Sequence, residues 1–152
     1  MQTVVLLHNI RSAHNVGSIF RSADGAGVER VYLSGYTPTP IDIFGRPQKE
    51  IAKTALGAEQ GLAWERHVSI APLIKKLKRE GWYIIGVEQD KRAQHYKKFK
   101  RKKKTTFIFG NEVKGLSKPL RAHCDALVEI PMHGKKESLN VSVAAGIILF
   151  NN

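Results

Sequence analysis

Ile130-Pro-Met-His-Gly-Lys-Lys-Glu-Ser138-Leu-Asn140-Val-Ser-Val-Ala-Ala-Gly-Ile-Ile-Leu-Phe150 is the stretch whose reading decides the fold of this chain. It opens as the end of an apolar strand, Ala126 to Ile130, and Pro131 stops that strand because it has no N–H for the ladder. A polar loop with Gly134, Lys135 and Lys136 follows, then Ser138 and Asn140, whose side chains can cap a helix. From Val141 to Phe150 the residues are apolar or small, which predicts a helix covered on most sides. Ala144-Ala145-Gly146 would let another backbone approach closely. A polar loop between a buried strand and a buried helix is where an α/β protein places a ligand. A terminal core helix with ordinary caps reads the same stretch without one.

Outward from there, the chain alternates. Thr3 to Leu7, Val31 to Ser34, Trp82 to Glu88 and Thr105 to Phe109 are apolar runs of strand length, and Leu62 to His67 holds a short strand. Between them Val16, Ile19, Phe20 and Ala23 follow a helical stripe, which the Asp24-to-Gly27 segment ends. Gln48 to Gln60 is expected to be helical, weakened at Gly57. Ser69 caps an amphipathic helix with Leu73, Ile74 and Leu77 inward and Lys75, Lys76, Lys78 and Arg79 outward. Another helix starts at Pro119, after Ser117. This spacing predicts an α/β fold: a mostly parallel sheet with helices on both faces. The Gly35–Pro47 loop exposes Tyr36, Phe44 and Arg46, which would serve RNA or a partner chain, or only connect.

A chain of 152 residues is long enough for one domain with a core, expected over 1–152, with no room for a separate RNA-binding domain. Thr3 to Leu7 is too short for a signal peptide, and the helix at 139–150 is far shorter than a membrane span. Cys124 is the only cysteine, so no internal disulfide forms, and a reducing, cytoplasmic setting is expected. The net charge is +12, and the run Lys97, Lys98, Lys100, Arg101, Lys102, Lys103 and Lys104 carries seven of those charges, so that removing it would leave +5. Such local basicity predicts RNA binding along one edge, with a solvated loop as the bland reading. An acidic membrane suits it less, since no amphipathic helix or lipidation signal accompanies it.

Several chemistries are excluded. Gly25-Ala-Gly27 is not a dinucleotide fingerprint, because Arg30 occupies the third glycine position and the element runs from helix to strand. Gly110 to Ser117 approaches a P-loop, but Leu116 stands where the phosphate-binding lysine belongs. The six histidines and Cys124 show no metal-ligand spacing, and no metal is expected. No G-x-S-x-G elbow supports a serine hydrolase.

What remains is three stretches. They are Asn15-Val-Gly17-Ser-Ile-Phe-Arg21-Ser-Ala23, then Phe109-Gly110-Asn-Glu112-Val-Lys-Gly115-Leu-Ser117, then Ile130-Pro-Met132 with Ser138-Leu-Asn140-Val-Ser-Val-Ala-Ala145. Their order and content closely resemble the three motifs of the SpoU/TrmH branch of the SPOUT methyltransferases, over nearly the whole chain. The resemblance implies a C-terminal trefoil knot, a homodimer, S-adenosylmethionine as methyl donor and the ribose 2′-hydroxyl of tRNA or rRNA as acceptor. It places the functional residues of the family on Asn15, Arg21, Glu112, Ser138 and Asn140, and cofactor-binding backbone on Gly110, Ile130 and Leu139.

Methyl transfer is an in-line displacement, so alignment is most of what a protein supplies. The resemblance gives proton removal to Arg21, yet a guanidinium stays charged far above neutral pH. Arg21 is better suited to grip the adjacent phosphate and stabilise a developing alkoxide, which leaves the base open. Glu112, Ser138 and Asn140 are expected to order the loop and Arg21 through hydrogen bonds. A catalytically silent RNA-binding relative is the alternative.

Overall fold

Continuous apolar runs become the inner strands of one parallel sheet in the computed structural model, which describes residues 1–152. Strands β1 (Gln2–His8), β2 (Arg30–Ser34), β3 (Ala63–His67), β4 (Tyr83–Val87), β5 (Gln94–His95), β6 (Lys104–Phe109) and β7 (Ala126–Glu129) stand in the order β3-β2-β1-β6-β4-β7-β5. Every pairing is parallel. Helices α1 (Ala13–Gly25), α2 (Lys49–Ala55), α3 (Ala58–Gly61), α4 (Ile70–Arg79), α5 (Lys118–His123) and α6 (Val141–Leu149) cover both faces.

Alternate residues of the same strands feed two cores. Val5, Leu7, Phe107 and Phe109 pack with Ile19 and Phe20 of α1 and Ala145 and Ile148 of α6. Val4, Leu6, Ile84 and Ile108 pack on the other side with Leu73 and Leu77 of α4 and Leu120 of α5. Strands buried on both faces need apolar residues at every position, which is why β1 and β6 read as unbroken runs. The expected α/β architecture is thus the observed one. All seven strands point the same way, so the loops that follow them collect at one end. At that end β1 has β2 on one side and β6 on the other, the strand-order reversal beside which open α/β sheets hold ligands.

Local details differ from the sequence reading. α1 begins at Ala13, a turn earlier than its apolar stripe, because Ser12 caps it and accepts from Asn15 N–H at 3.1 Å. The 48–60 helix breaks in two where Leu56 and Gly57 both take positive φ, 52° and 95°. α6 is open on one side: Val143 is 50% and Phe150 59% exposed. The sheet and α1 cover its other side, and a Cβ at Gly146 would meet nothing nearer than Ser22 Oγ of α1 at 3.8 Å. Gly146 therefore faces α1 within the chain, while Ala144 lines a cleft at the carboxyl ends of the strands. Behind α6, the β5–β6 connection closes over its carboxyl end, an arrangement that accommodates the threaded C-terminus implied by the resemblance.

Candidate active site

The turn after β6 is built around glycines. A Cβ at Gly110 would sit 2.6 Å from Leu116 Cδ2 and 2.7 Å from the Gly115 carbonyl, so the turn can fold back only on a residue without one. Gly115 itself has φ +63° and lies against the Glu88 carboxylate. Glu88 Oε2 accepts from Leu116 N–H at 2.7 Å. Asn111 Oδ1 accepts from the N–H groups of Val113 and Lys114 at 2.9 and 2.8 Å. Asn111 Nδ2 donates to Asn9 O at 3.0 Å and to Tyr36 Oη at 2.9 Å, tying the β6 turn to those after β1 and β2.

Beside this turn a cleft opens at the carboxyl ends of β4, β6 and β7. Val87, Phe109, Gly110, Ile130, Leu139 and Val141 line it, with the carboxylates of Glu88, Glu112 and Glu129 and the hydroxyl of Ser138 at its polar edge. The backbone N–H and C=O groups of Gly110, Ile130 and Leu139 make no hydrogen bond within the chain. A half-buried backbone group without a partner is costly unless a ligand or water supplies one. The cleft therefore offers apolar walls, unpaired backbone and negative charge together. That combination suits a small cationic molecule with hydrogen-bonding ends.

Glu112 joins the three stretches. Its carboxylate accepts from Arg11 N–H and Ser12 N–H, each at 2.8 Å, and from Asn15 Nδ2 at 3.1 Å. Asn15 Oδ1 accepts from Asn140 Nδ2 at 3.2 Å, and Asn140 Oδ1 caps α6 by accepting from Ser142 N–H at 2.8 Å. Burial alone would raise the Glu112 pKa, but the backbone N–H groups and Asn15 outweigh it and hold the pKa below its ordinary value. The carboxylate also lies beyond the amino end of α1, where the helix dipole favours an anion.

The model of the SpoU rRNA methylase family matches residues 2–150 of this chain. The chain belongs to the SpoU rRNA methylase family. It is 33% identical over 147 residues to the 23S rRNA (guanosine-2'-O-)-methyltransferase RlmB of Escherichia coli strain K12, an alignment covering 97% of this chain and 58% of that protein. The RlmB of Xylella fastidiosa is 35% identical, with 97% and 56% covered. Among solved structures, an AdoMet-bound rRNA methyltransferase from Sinorhizobium meliloti superposes with a TM-score of 0.86 at 27% identity, over 99% of this chain and 55% of that one. The A. aeolicus TrmH/SpoU tRNA modifying enzyme gives 0.85 at 26% identity, over 99% and 73%. The chain spans little more than half the length of the curated relatives it matches.

Within this SpoU-family fold the expected residues do not all converge. Gly110, Glu112, Ile130, Ser138 and Leu139 line the cleft, while Asn15 and Asn140 brace it from behind. Arg21 lies further along α1, exposed, and its guanidinium donates to no group of the chain. Glu112 orders Arg11, Ser12 and Asn15, and not Arg21 as the sequence reading expects. Ser138 makes no hydrogen bond that would order the loop.

The basic run also divides. Arg101 is not a free RNA ligand: its guanidinium donates to Thr3 Oγ1 at 3.2 Å and to the carbonyls of Ile148, Leu149 and Asn151. It caps the carboxyl end of α6, where carbonyls lack helical partners. Lys104 Nζ donates to Glu80 O at 3.0 Å and lies over Trp82. Lys97, Lys98, Lys100, Lys102 and Lys103 stay exposed.

Glu88 and Asn111 escaped the sequence reading. Both sit just after an apolar strand, the same signal that marks Glu112. Asn9, just after β1, carries the same signal, but nothing in the sequence marks its positive φ of 54° or its carbonyl as the acceptor for Asn111. No helix is long and apolar enough to cross a membrane.

Proposed function

We propose that this chain transfers a methyl group from S-adenosylmethionine to the ribose 2′-hydroxyl of a nucleotide in tRNA or rRNA. The observation that carries this is the hydrogen-bonded chain Glu112–Asn15–Asn140, which joins the three motif stretches at the mouth of a cleft whose backbone groups are unpaired. When bound, S-adenosylmethionine supplies an electrophilic methyl group on a positively charged sulfur. Gly110, Ile130 and Leu139 would hold it through their free N–H and C=O groups. Val87, Phe109 and Val141 would exclude water from it, and Glu88 and Glu129 would favour its positive charge. The names of the RlmB relatives point to the same reaction class.

Arg21 is the motif cation left to meet the RNA at the acceptor ribose. With no partner in the chain it is free to bind the phosphate next to the acceptor ribose and to stabilise negative charge developing on the 2′-oxygen. Glu112, Asn15 and Asn140 hold the starts of α1 and α6 in place around the site. No side chain is assigned as base.

The protein is read as a homodimer in the cytoplasm, with its catalytic domain over the residues that the family model matches, 2–150. Val143, Ile147 and Phe150 form an i, i+4, i+7 stripe on the open side of α6, which a second copy would cover.

Incubation with labelled S-adenosylmethionine and total RNA, followed by ribose-methyl mapping, tests the activity. Transfer to a ribose in tRNA or rRNA is expected. Its absence, together with no cofactor binding by calorimetry, defeats the reading. Arg21→Ala should lower turnover about a hundredfold or more. A silent RNA-binding relative would show no turnover to lose.

A further inference from the structure

The lysines left free by Arg101 and Lys104 form a strip down one flank. β5 ends at His95, in register with Glu129 of β7, whose side chain lines the cleft. From there the chain passes Phe99, packed edge-on against Phe107 with ring centroids 6.1 Å apart. It reaches Lys103, whose carbonyl accepts from Gln2 N–H at 2.7 Å at the start of β1. The segment thus descends from the carboxyl to the amino ends of the strands, about 20 Å at roughly 3.3 Å per residue of β6.

Lys97, Lys98, Lys100, Lys102 and Lys103 are exposed along this descent, and none is ion-paired. Residues 97–104 contain no carboxylate. Their one aromatic, Phe99, is turned against Phe107, and Tyr96 before them is half-buried beneath Lys97. Tyr83 and Trp82, also half-buried, lie beneath the ammonium groups of Lys102 and Lys104, each at 5.6 Å, so the strip presents charge above its rings and not open ring faces for stacking bases.

We propose that this strip is a phosphate track, leading the backbone of the substrate RNA away from the cleft. It contributes affinity and reads no sequence, because it offers phosphates ammonium groups and offers base edges nothing. An anionic bilayer would also meet the charge, but the strip exposes no apolar side chain to enter one. The inference rests on the methyltransferase reading for the identity of the RNA, and on placement alone for the strip itself.

The test uses the full chain with all five lysines changed to glutamine. For a 20-residue oligouridylate, the slope of log affinity against log salt should flatten by roughly 3–4 units. An unchanged slope overturns the track, as does binding of phosphatidylserine vesicles in preference to the RNA. Calorimetry should show S-adenosylmethionine affinity equal to that of the unaltered protein, and a loss there would place the strip in the cleft and overturn it too. In methyl transfer to total RNA, Lys102→Gln/Lys103→Gln should raise KM several-fold with kcat unchanged. A fall in kcat instead would contradict a purely tethering role. If the unaltered protein transfers no methyl group, the proposed function fails, while the oligouridylate slope still decides the strip.

Discussion

Glu112 and Asn15 lie 97 residues apart in sequence, yet Glu112 Oε2 accepts from Asn15 Nδ2 at 3.1 Å and from the neighbouring Ser12 N–H at 2.8 Å. One carboxylate thereby fixes the turn after β6 to the first turn of α1. Glu112→Gln weakens charged hydrogen bonds, and should cost about 1.5–3 kcal/mol in denaturant unfolding. The folded pKa of Glu112 is lowered, so its stabilisation is present above the ordinary 4.5 and is lost as pH falls through the folded value. The gap in Tm between the two proteins should be widest near neutrality and close in acid, as the pH falls through the lowered folded value. A gap that widens in acid would contradict this.

Gly110→Ala sets a methyl group 2.6 Å from Leu116 Cδ2 and 2.7 Å from the Gly115 backbone. The turn must move, carrying the Gly110 N–H and C=O with it, while β6 behind it stays paired. Calorimetry should show S-adenosylmethionine affinity reduced at least tenfold, with far-ultraviolet circular dichroism unchanged. Wild-type affinity would mean the turn does not hold the cofactor.

Arg101→Gln should behave unlike its lysine neighbours. It removes the cation that caps α6 and leaves the carbonyls of Leu149 and Asn151 without their donor, while Ile148 O keeps only the Asn151 N–H at 3.3 Å. Unfolding free energy should fall by about 1.5–3 kcal/mol. The salt slope of RNA binding should stay within about one unit of wild type. A larger change in slope would return Arg101 to the RNA surface.

Val143→Asp/Phe150→Asp places charge on the open stripe of α6 without touching Ala145, Ile148 or Leu149, which are buried against the sheet and α1. Sedimentation at micromolar concentration should show a dimer for the wild type and a monomer for the double variant. A wild-type monomer would leave the stripe without an occupant.

Burial at the carboxyl cap of α5 holds the Cys124 thiol up at about 11. At pH 8 only about one thiol in a thousand is then thiolate, and the thiolate is the reactive form. Labelling with a disulfide reagent at pH 8 should be slow in the native protein and rapid in denaturant. Rapid native labelling would show an exposed cysteine.

The sequence alone determined the sheet, because strands buried on both faces must be apolar at each position, as Val4 to Leu7 and Phe107 to Phe109 are. It also determined where the cleft residues lie along the chain, since Gly110, Glu112 and the Ile130–Asn140 loop follow apolar strands and precede helices. Tertiary structure decided the partners. Nothing local to Glu112 says that it will meet Arg11, Ser12 and Asn15 rather than Arg21. That follows from β6 pairing beside β1, which sets two turns side by side from opposite halves of the chain. Only the fold, likewise, could sort the basic run: seven adjacent cations look alike in sequence, and hydrogen bonds to the carbonyls of α6 and of Glu80 commit Arg101 and Lys104 while the ammonium groups of five exposed lysines donate to no group of the chain. Apolar patterning is a property of each residue, whereas a hydrogen bond needs two groups that only long-range packing brings together.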